Sequence, residues 1–441
     1  MKIGFLILSL FIIFPSRFAE AQVVYNLNDC IRIGLNKNFS ILIARNNESI
    51  SNNNFTLGNA GYLPSLDLSG SYNGVSSNTT KNLSDGSQDK FKIALNTTAT
   101  AGLNLGWTIF NGFSVSTTYR KLGELKQIGA LNTQLAVENL VTGIVLGYYA
   151  YIQQVQMMKN LEYAVTLSKE RLRIDEDRYL LGSSSKLQVL QSRVYLNADS
   201  SNLSKQFEVV RTAQIKLNEL MAVEDLSKEF STQDSSVDVN PYLIYEKLLD
   251  ETLALNTSLT IANKDKTISE YDYRIIASRS YPYLNFSTGY NYNFYNYSDD
   301  GPYRNQTISG MNYGLTLGLN LFDGFNQRRS IQNSGIAVKN KELQYFEIEL
   351  GIKADLLTIY NGYRNNLRLI NLEEQNLQTA AENLEIALER YKLGSLSGID
   401  LREVQKSYLD AKERLLLIQY QAKLAEVSLQ LISGKIMDYY K

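Results

Sequence analysis

The residues that most enzymes use for chemistry are nearly missing from this chain. Among 441 residues there is no histidine. No Ser-His-Asp or Cys-His pair, HExxH zinc site or imidazole proton shuttle can therefore be built. The single cysteine, Cys30, excludes an internal disulfide and any CxxC metal or redox motif. Paired carboxylates for hydrolysis could be drawn from 45 acids, but no spacing singles out a pair. The 44 Lys and Arg against 45 Asp and Glu leave a formal net charge of -1, without the basic stripe of a nucleic-acid binder. The residues support no enzyme, no metal or cofactor site and no nucleic-acid partner.

The elements are more informative than the chemistry. Lys2, an apolar run over 3–14 and Ala19-Glu20-Ala21 read as a signal peptide over 1–21, with Gln22 the first mature residue. That run is too short to span a bilayer, and no later stretch reaches 18 consecutive apolar residues. Self-similarity follows. Arg178-Tyr-Leu-Leu-Gly-Ser-Ser-Ser185 recurs as Arg390-Tyr-Lys-Leu-Gly-Ser-Leu-Ser397, an offset of 212 that also relates Phe110-Asn-Gly112 to Phe322-Asp-Gly324. The same offset carries Tyr148 and Tyr151 onto Tyr360 and Tyr363. An offset of 218 relates Pro64 to Pro282 and Asn38 to Asn256, so the first unit has a longer loop after Pro64. The division is a first repeat over 22–222, a linker over 223–241, a second repeat over 242–434 and a tail over 435–441.

Each repeat changes its period midway. Alternation of apolar with small polar residues predicts one β-hairpin per repeat, over about 64–110 and 282–322. Leu66, Leu68, Leu103, Leu105 and Trp107 fall on one face, as do Leu284, Phe286, Tyr290, Met311, Tyr313, Leu315, Leu319 and Leu321. Spacings of three and four then predict helices over 113–179, 187–220, 325–391 and 399–433. No proline falls between 65 and 240 or after 302, so very long helices are permitted. A continuous 113–179 helix would reach about 100 Å. Gly123, Gly129, Gly143 and Gly147 mark either a break in it or close helix contacts.

An apolar face ending in tyrosines (Tyr72, Tyr281, Tyr283, Tyr290, Tyr292, Tyr295, Tyr297, Tyr303) behind a lumen of Asn, Ser, Thr and Gly reads as a membrane β-barrel. Residues 73–89 and 296–306 are the expected outer loops. In a bilayer no sheet edge can stay unpaired, and four strands are too few to close, since barrels begin at about eight. Protomers must share the barrel, as eight strands in a dimer or twelve in a trimer, and an open conduit argues for three. A soluble coiled-coil scaffold and a general diffusion porin are the alternatives. The scaffold needs no apolar strand face, and the porin needs no long helices.

These features together resemble the TolC family of outer-membrane efflux proteins over essentially the whole mature chain. The matching motifs are the two-fold repeat, the hairpins opening near Pro64 and Pro282 and closing at Phe-(Asn/Asp)-Gly, and Arg-Tyr-x-Leu-Gly-Ser at both helix turns. The resemblance implies an α+β membrane protein: a homotrimer with a shared twelve-stranded barrel in outer-membrane lipid and a long α-helical barrel through the periplasm. It implies the exit duct of a tripartite efflux or type I secretion system, conducting passively and docking a periplasmic adaptor linked to an inner-membrane transporter. Arg178, Leu181, Gly182, Ser183, Arg390, Leu393, Gly394 and Ser395 would then be adaptor-docking tips. Asp400 and Glu403, three apart on one helix face, would stack as two acidic rings at the gate, where the first repeat has Gln188 and Gln191. Leu396 stands where some members carry a gate arginine, which puts their latch in doubt here.

Overall fold

The computed structural model describes residues 23–297 and 304–440. The expected signal peptide, Tyr303 and most of the second outer loop lie outside the described residues. The chain opens with β1 (Val23–Tyr25), α1 (Leu27–Lys37), α2 (Phe39–Asn54) and the short α3 (Leu57–Ala60). The hairpin β2 (Ser65–Asn82) and β3 (Gln88–Asn111) leads into α4 (Ser114–Leu180) and α5 (Lys186–Leu220). After β4 (Phe230–Thr232) come α6 (Tyr245–Leu255), α7 (Thr257–Ser278), the hairpin β5 (Tyr283–Asn296) and β6 (Asn305–Gly318), then α8 (Asn326–Lys392) and α9 (Gly398–Ile432). A 3₁₀ turn over Ile436–Tyr440 follows.

Both long helices run unbroken for 67 residues, and α5 and α9 each have 35. The α4 glycines are therefore contact sites. A Cβ on Gly147 would lie 3.2 Å from Leu220, and one on Gly129 2.8 Å from Ser51. Asparagines join the shorter helices to the long ones. Asn38 accepts from the Ser40 amide, capping α2, while its Nδ2 donates to the Leu220 carbonyl at 3.0 Å. Asn256 caps α7 through the Leu259 amide and donates to the Ile432 carbonyl at 3.0 Å. Each side chain thus satisfies one orphan donor and one orphan acceptor at helix ends.

The main core gathers Cys30, Ile31, Ile144, Val145, Tyr148, Ile152, Leu217, Phe230, Val427 and Ile436, joining α1, α4, α5, the linker, α9 and the C-terminus. One 18-residue window within α4 is apolar enough to cross a membrane by mean composition, though it is not an unbroken apolar run, and that helix supplies much of this core. The linker is structured: β4 pairs in parallel with β1, and Tyr151 donates to the Phe230 carbonyl at 3.1 Å.

The four long strands form one antiparallel sheet in the order β2-β3-β5-β6. Its apolar face is exposed: Leu68 is 82%, Met311 72% and Tyr313 82% accessible. Three expectations change. Most of 73–89 is paired strand rather than loop, with the turn confined to 83–87. Backbone pairing needs no apolar face, so the polar outer part of this hairpin stays paired, and its strands of 18 and 24 residues run past the about 9–11 that a membrane strand requires. β6 stops at Gly318, because β5 begins at Tyr283 and offers Leu319 and Leu321 no partner. Tyr283 and Tyr295 have the opposite parity in β5 to Tyr290 and Tyr292, so they do not belong to the apolar face.

At each strand-to-helix corner a glycine and a phenylalanine both adopt positive φ, 63° and 69° at Gly112-Phe113 and 71° and 65° at Gly324-Phe325. A Cβ on Gly112 would fall 2.3 Å from the Ser278 carbonyl oxygen, so only glycine fits. Phe110 packs edge-on against Phe113, as Phe322 does against Phe325.

Candidate functional site

The far ends of α4/α5 and α8/α9 meet in a tip built from the repeated motif. Gly182 (φ 76°) and Gly394 (φ 82°) end α4 and α8 in the left-handed conformation. The Ser183 and Ser395 amides donate back to the Arg178 and Arg390 carbonyls at 2.9 Å, the six-to-one bond of a Schellman cap. Both serine hydroxyls bond the same carbonyls at 3.1 Å. Ser185 caps α5 and Ser397 caps α9. Gly182 and Gly394 are thus turn chemistry, while Leu181 and Leu393, each 82% accessible, are the apolar points of the tip. Leu180 (81%), Leu187 (72%) and Ile399 (66%) extend that apolar crown, and sequence reasoning missed them.

The two motif arginines differ. Arg178 donates through Nη2 to the Tyr391 carbonyl and stacks 4.9 Å from the Tyr391 ring, binding α4 to α8. Arg390 stays at its own turn, donating to the Ser395 carbonyl at 3.3 Å. Asp400 is exposed, and its carboxylate accepts from the Ser397 hydroxyl at 2.7 Å. Glu403 is exposed on the same side of α9, and its neighbour Arg402 is engaged elsewhere.

Behind this surface lies a buried polar cluster that links the two hairpins. Arg402 forks onto both oxygens of Asp199 at 2.7 and 2.8 Å, and Ser168 donates to the same carboxylate. Asp175, 2% accessible, accepts from Ser192 and from Tyr391 and lies 3.9 Å from Arg171. Burial, then the bond to Asp175, pushes the Tyr391 phenol up to about 12. The Tyr195 ring faces the guanidinium of Arg171 at 4.9 Å and that of Arg402 at 5.1 Å. Arg171 Nε and Nη1 and both amide atoms of Gln405 are buried without a hydrogen-bond partner. A Cβ on Gly398 would meet Arg171 Nη2 at 2.8 Å, so this glycine admits the guanidinium. The cluster can hold the hairpins together by charge-assisted bonds.

Set against known proteins, the family model described as "outer membrane efflux protein" matches residues 31–223 and 248–435. The chain belongs to this family. It is an outer-membrane efflux-family protein that extends into the periplasm. Over 191 residues it is 29% identical to outer membrane protein TolC of Vibrio cholerae, an alignment covering 43% of this chain and 42% of that relative. The match thus spans less than half of the curated relative's length. The fold resembles the CmeC outer membrane channel of Campylobacter jejuni (TM-score 0.75, 16% identity, 93% of this chain and 85% of that one). It is likewise similar to outer membrane protein VceC of Vibrio cholerae (0.72, 17%, 92% and 96%). The Neisseria gonorrhoeae MtrE outer membrane channel in its open state is a third (0.71, 14%, 93% and 89%).

Proposed function

We propose that this protein is the homotrimeric exit duct of a tripartite efflux or secretion system, built by duplication of one helix–hairpin–helix unit and conducting substrates passively to the exterior. The observation that carries the reading is the open sheet. β2 and β6 pair on one side only among the described residues, and the apolar face between them is exposed. Hydrocarbon tolerates neither orphan backbone groups at an edge nor an open sheet. Strand directions alternate across β2-β3-β5-β6, so β6 of one protomer meets β2 of the next antiparallel, and three copies close twelve strands. The helices then continue the lumen for about 100 Å into the periplasm.

At the periplasmic end, Leu181, Leu393 and the turns around them would meet an adaptor protein that couples the duct to an inner-membrane transporter. Asp400 and Glu403 of three protomers would ring the constriction and favour cations. The test is conductance in planar bilayers. The wild type should give cation-preferring steps, and Asp400→Ala with Glu403→Ala should raise the step size and weaken that preference. A protein that never conducts contradicts the duct.

A further inference from the structure

Apart from Lys81, Asp89, Lys90 and Lys92 toward the hairpin turn, the four strands contain one charged residue, Asp67. It stands between Leu66 and Leu68, both exposed on the apolar face, so alternation places Asp67 on the polar face. Its register row runs from Asp67 through Asn104 and Gly289 to Asn312. A Cβ on Gly289 would lie 2.5 Å from Asn104 Oδ1 and 3.0 Å from Asn312 Oδ1, so the two amide oxygens converge over the glycine. Asn104 Nδ2 donates to Ser69 Oγ at 3.4 Å, which turns its oxygen toward Gly289. One carboxylate and two amide oxygens thus occupy a single row, with no cationic side chain in it.

We propose that Asp67, flanked by Asn104 and Asn312, is a selectivity-determining residue of the β-barrel, forming a cation-favouring collar at its helix-side mouth. The inference rests on the shared-barrel reading, in which this face lines the lumen. The collar is separate from Asp400 and Glu403, which lie beyond α4 and α8, about 100 Å away. Three copies supply three carboxylates and six amide oxygens, ligand types that suit hard cations and repel anions. A twelve-stranded barrel with strands about 4.8 Å apart and tilted about 40° has a backbone radius of about 12 Å. The Debye length is about 30 Å at 0.01 M salt and about 3 Å at 1 M. Asp67 should therefore control selectivity across the whole lumen in dilute salt and lose control in concentrated salt.

The experiment measures reversal potentials of the purified full-length protein in planar bilayers under KCl gradients. It is run on wild type and on an Asp400→Ala, Glu403→Ala background that removes the tip carboxylates. In dilute KCl, Asp67→Asn should lower the cation-to-anion permeability ratio about threefold, and Asp67→Lys should lower it further. Asp67→Glu should keep it, and near 1 M all variants should converge. Heat-modifiable migration checks that each variant has assembled. An assembled Asp67→Asn and Asp67→Lys with an unchanged ratio would overturn the collar, as would a loss of selectivity in Asp67→Glu. A wild type without step conductance overturns the shared barrel, and the collar with it.

Discussion

Replacing Arg402 by Leu should loosen the tip locally and leave the rest of the molecule as it is. Asp199 is 6% accessible and Arg402 23%, and the guanidinium makes two bonds of 2.7 and 2.8 Å to it. Without Arg402 the carboxylate keeps only Ser168 as a hydrogen-bond donor in a buried, helix-lined site. Truncating one partner of such a pair costs about 2–5 kcal/mol, much of it from the charge left behind. The lower part of that range applies because Arg402 retains some solvent. A loss of about 2–3 kcal/mol makes local opening about 30- to 150-fold more frequent. Amide hydrogen exchange on the detergent-solubilised protein should report this acceleration in the first turns of α9 and the facing turns of α4 and α5. The core around Tyr148 and Val427 should exchange unchanged. Asp199→Asn combined with Arg402→Leu should recover part of the loss, because no charge is then stranded. Acceleration below about threefold, or spread evenly over the chain, would refute the view that this pair fastens the two hairpins.

Other perturbations test the remaining contacts. Asn38→Ala and Asn256→Ala each remove a helix cap and a bond to a neighbouring helix end, so each should cost about 1–2 kcal/mol in denaturant unfolding; loss of one without the other would show unequal roles. Lys423 and Glu426 form a buried pair, each 7% accessible, with Tyr439 donating to Glu426 at 2.6 Å. Lys423→Met should destabilise by about 3–5 kcal/mol, and adding Glu426→Leu should restore much of it in the same unfolding assay. For Tyr391 the folded phenol titrates near 12, above the usual value near 10. The neutral form is favoured by folding, so its contribution is intact below about pH 10 and is lost as pH rises toward 12. Unfolding free energies of wild type and Tyr391→Phe, compared at pH 8 and pH 11, should show a steeper fall for wild type.

The long helices were legible because their signals are local. Gly182 and Gly394 stop α4 and α8, Ser185 and Ser397 start α5 and α9, and no proline interrupts them. Strand faces were legible from alternation, but strand ends were not. Whether residues 73–82 pair depends on a partner across the hairpin, and β6 ends where β5 supplies none. The tip cluster stayed hidden because a polar residue on a helix reads as solvated until the facing helix is known. A signal was present: Ser168, Arg171 and Asp175 on α4 and Ser192, Tyr195 and Asp199 on α5 both fall at i, i+3, i+7, and Gly398, Arg402 and Gln405 on α9 at i, i+4, i+7. Three polar stripes with coiled-coil spacing mark a polar seam. The different fates of Arg178 and Arg390 could not be read from identical motifs, because only one of them faces the other hairpin.

The central claim is that four strands per chain close only by sharing a barrel. Its most direct test is the native mass of the protein, extracted from isolated outer membranes in mild detergent and measured by light scattering with the detergent contribution subtracted. Three chains of at most 49.9 kDa each should give a native mass of up to about 150 kDa, with no release by salt alone. A monomer released without detergent would contradict it.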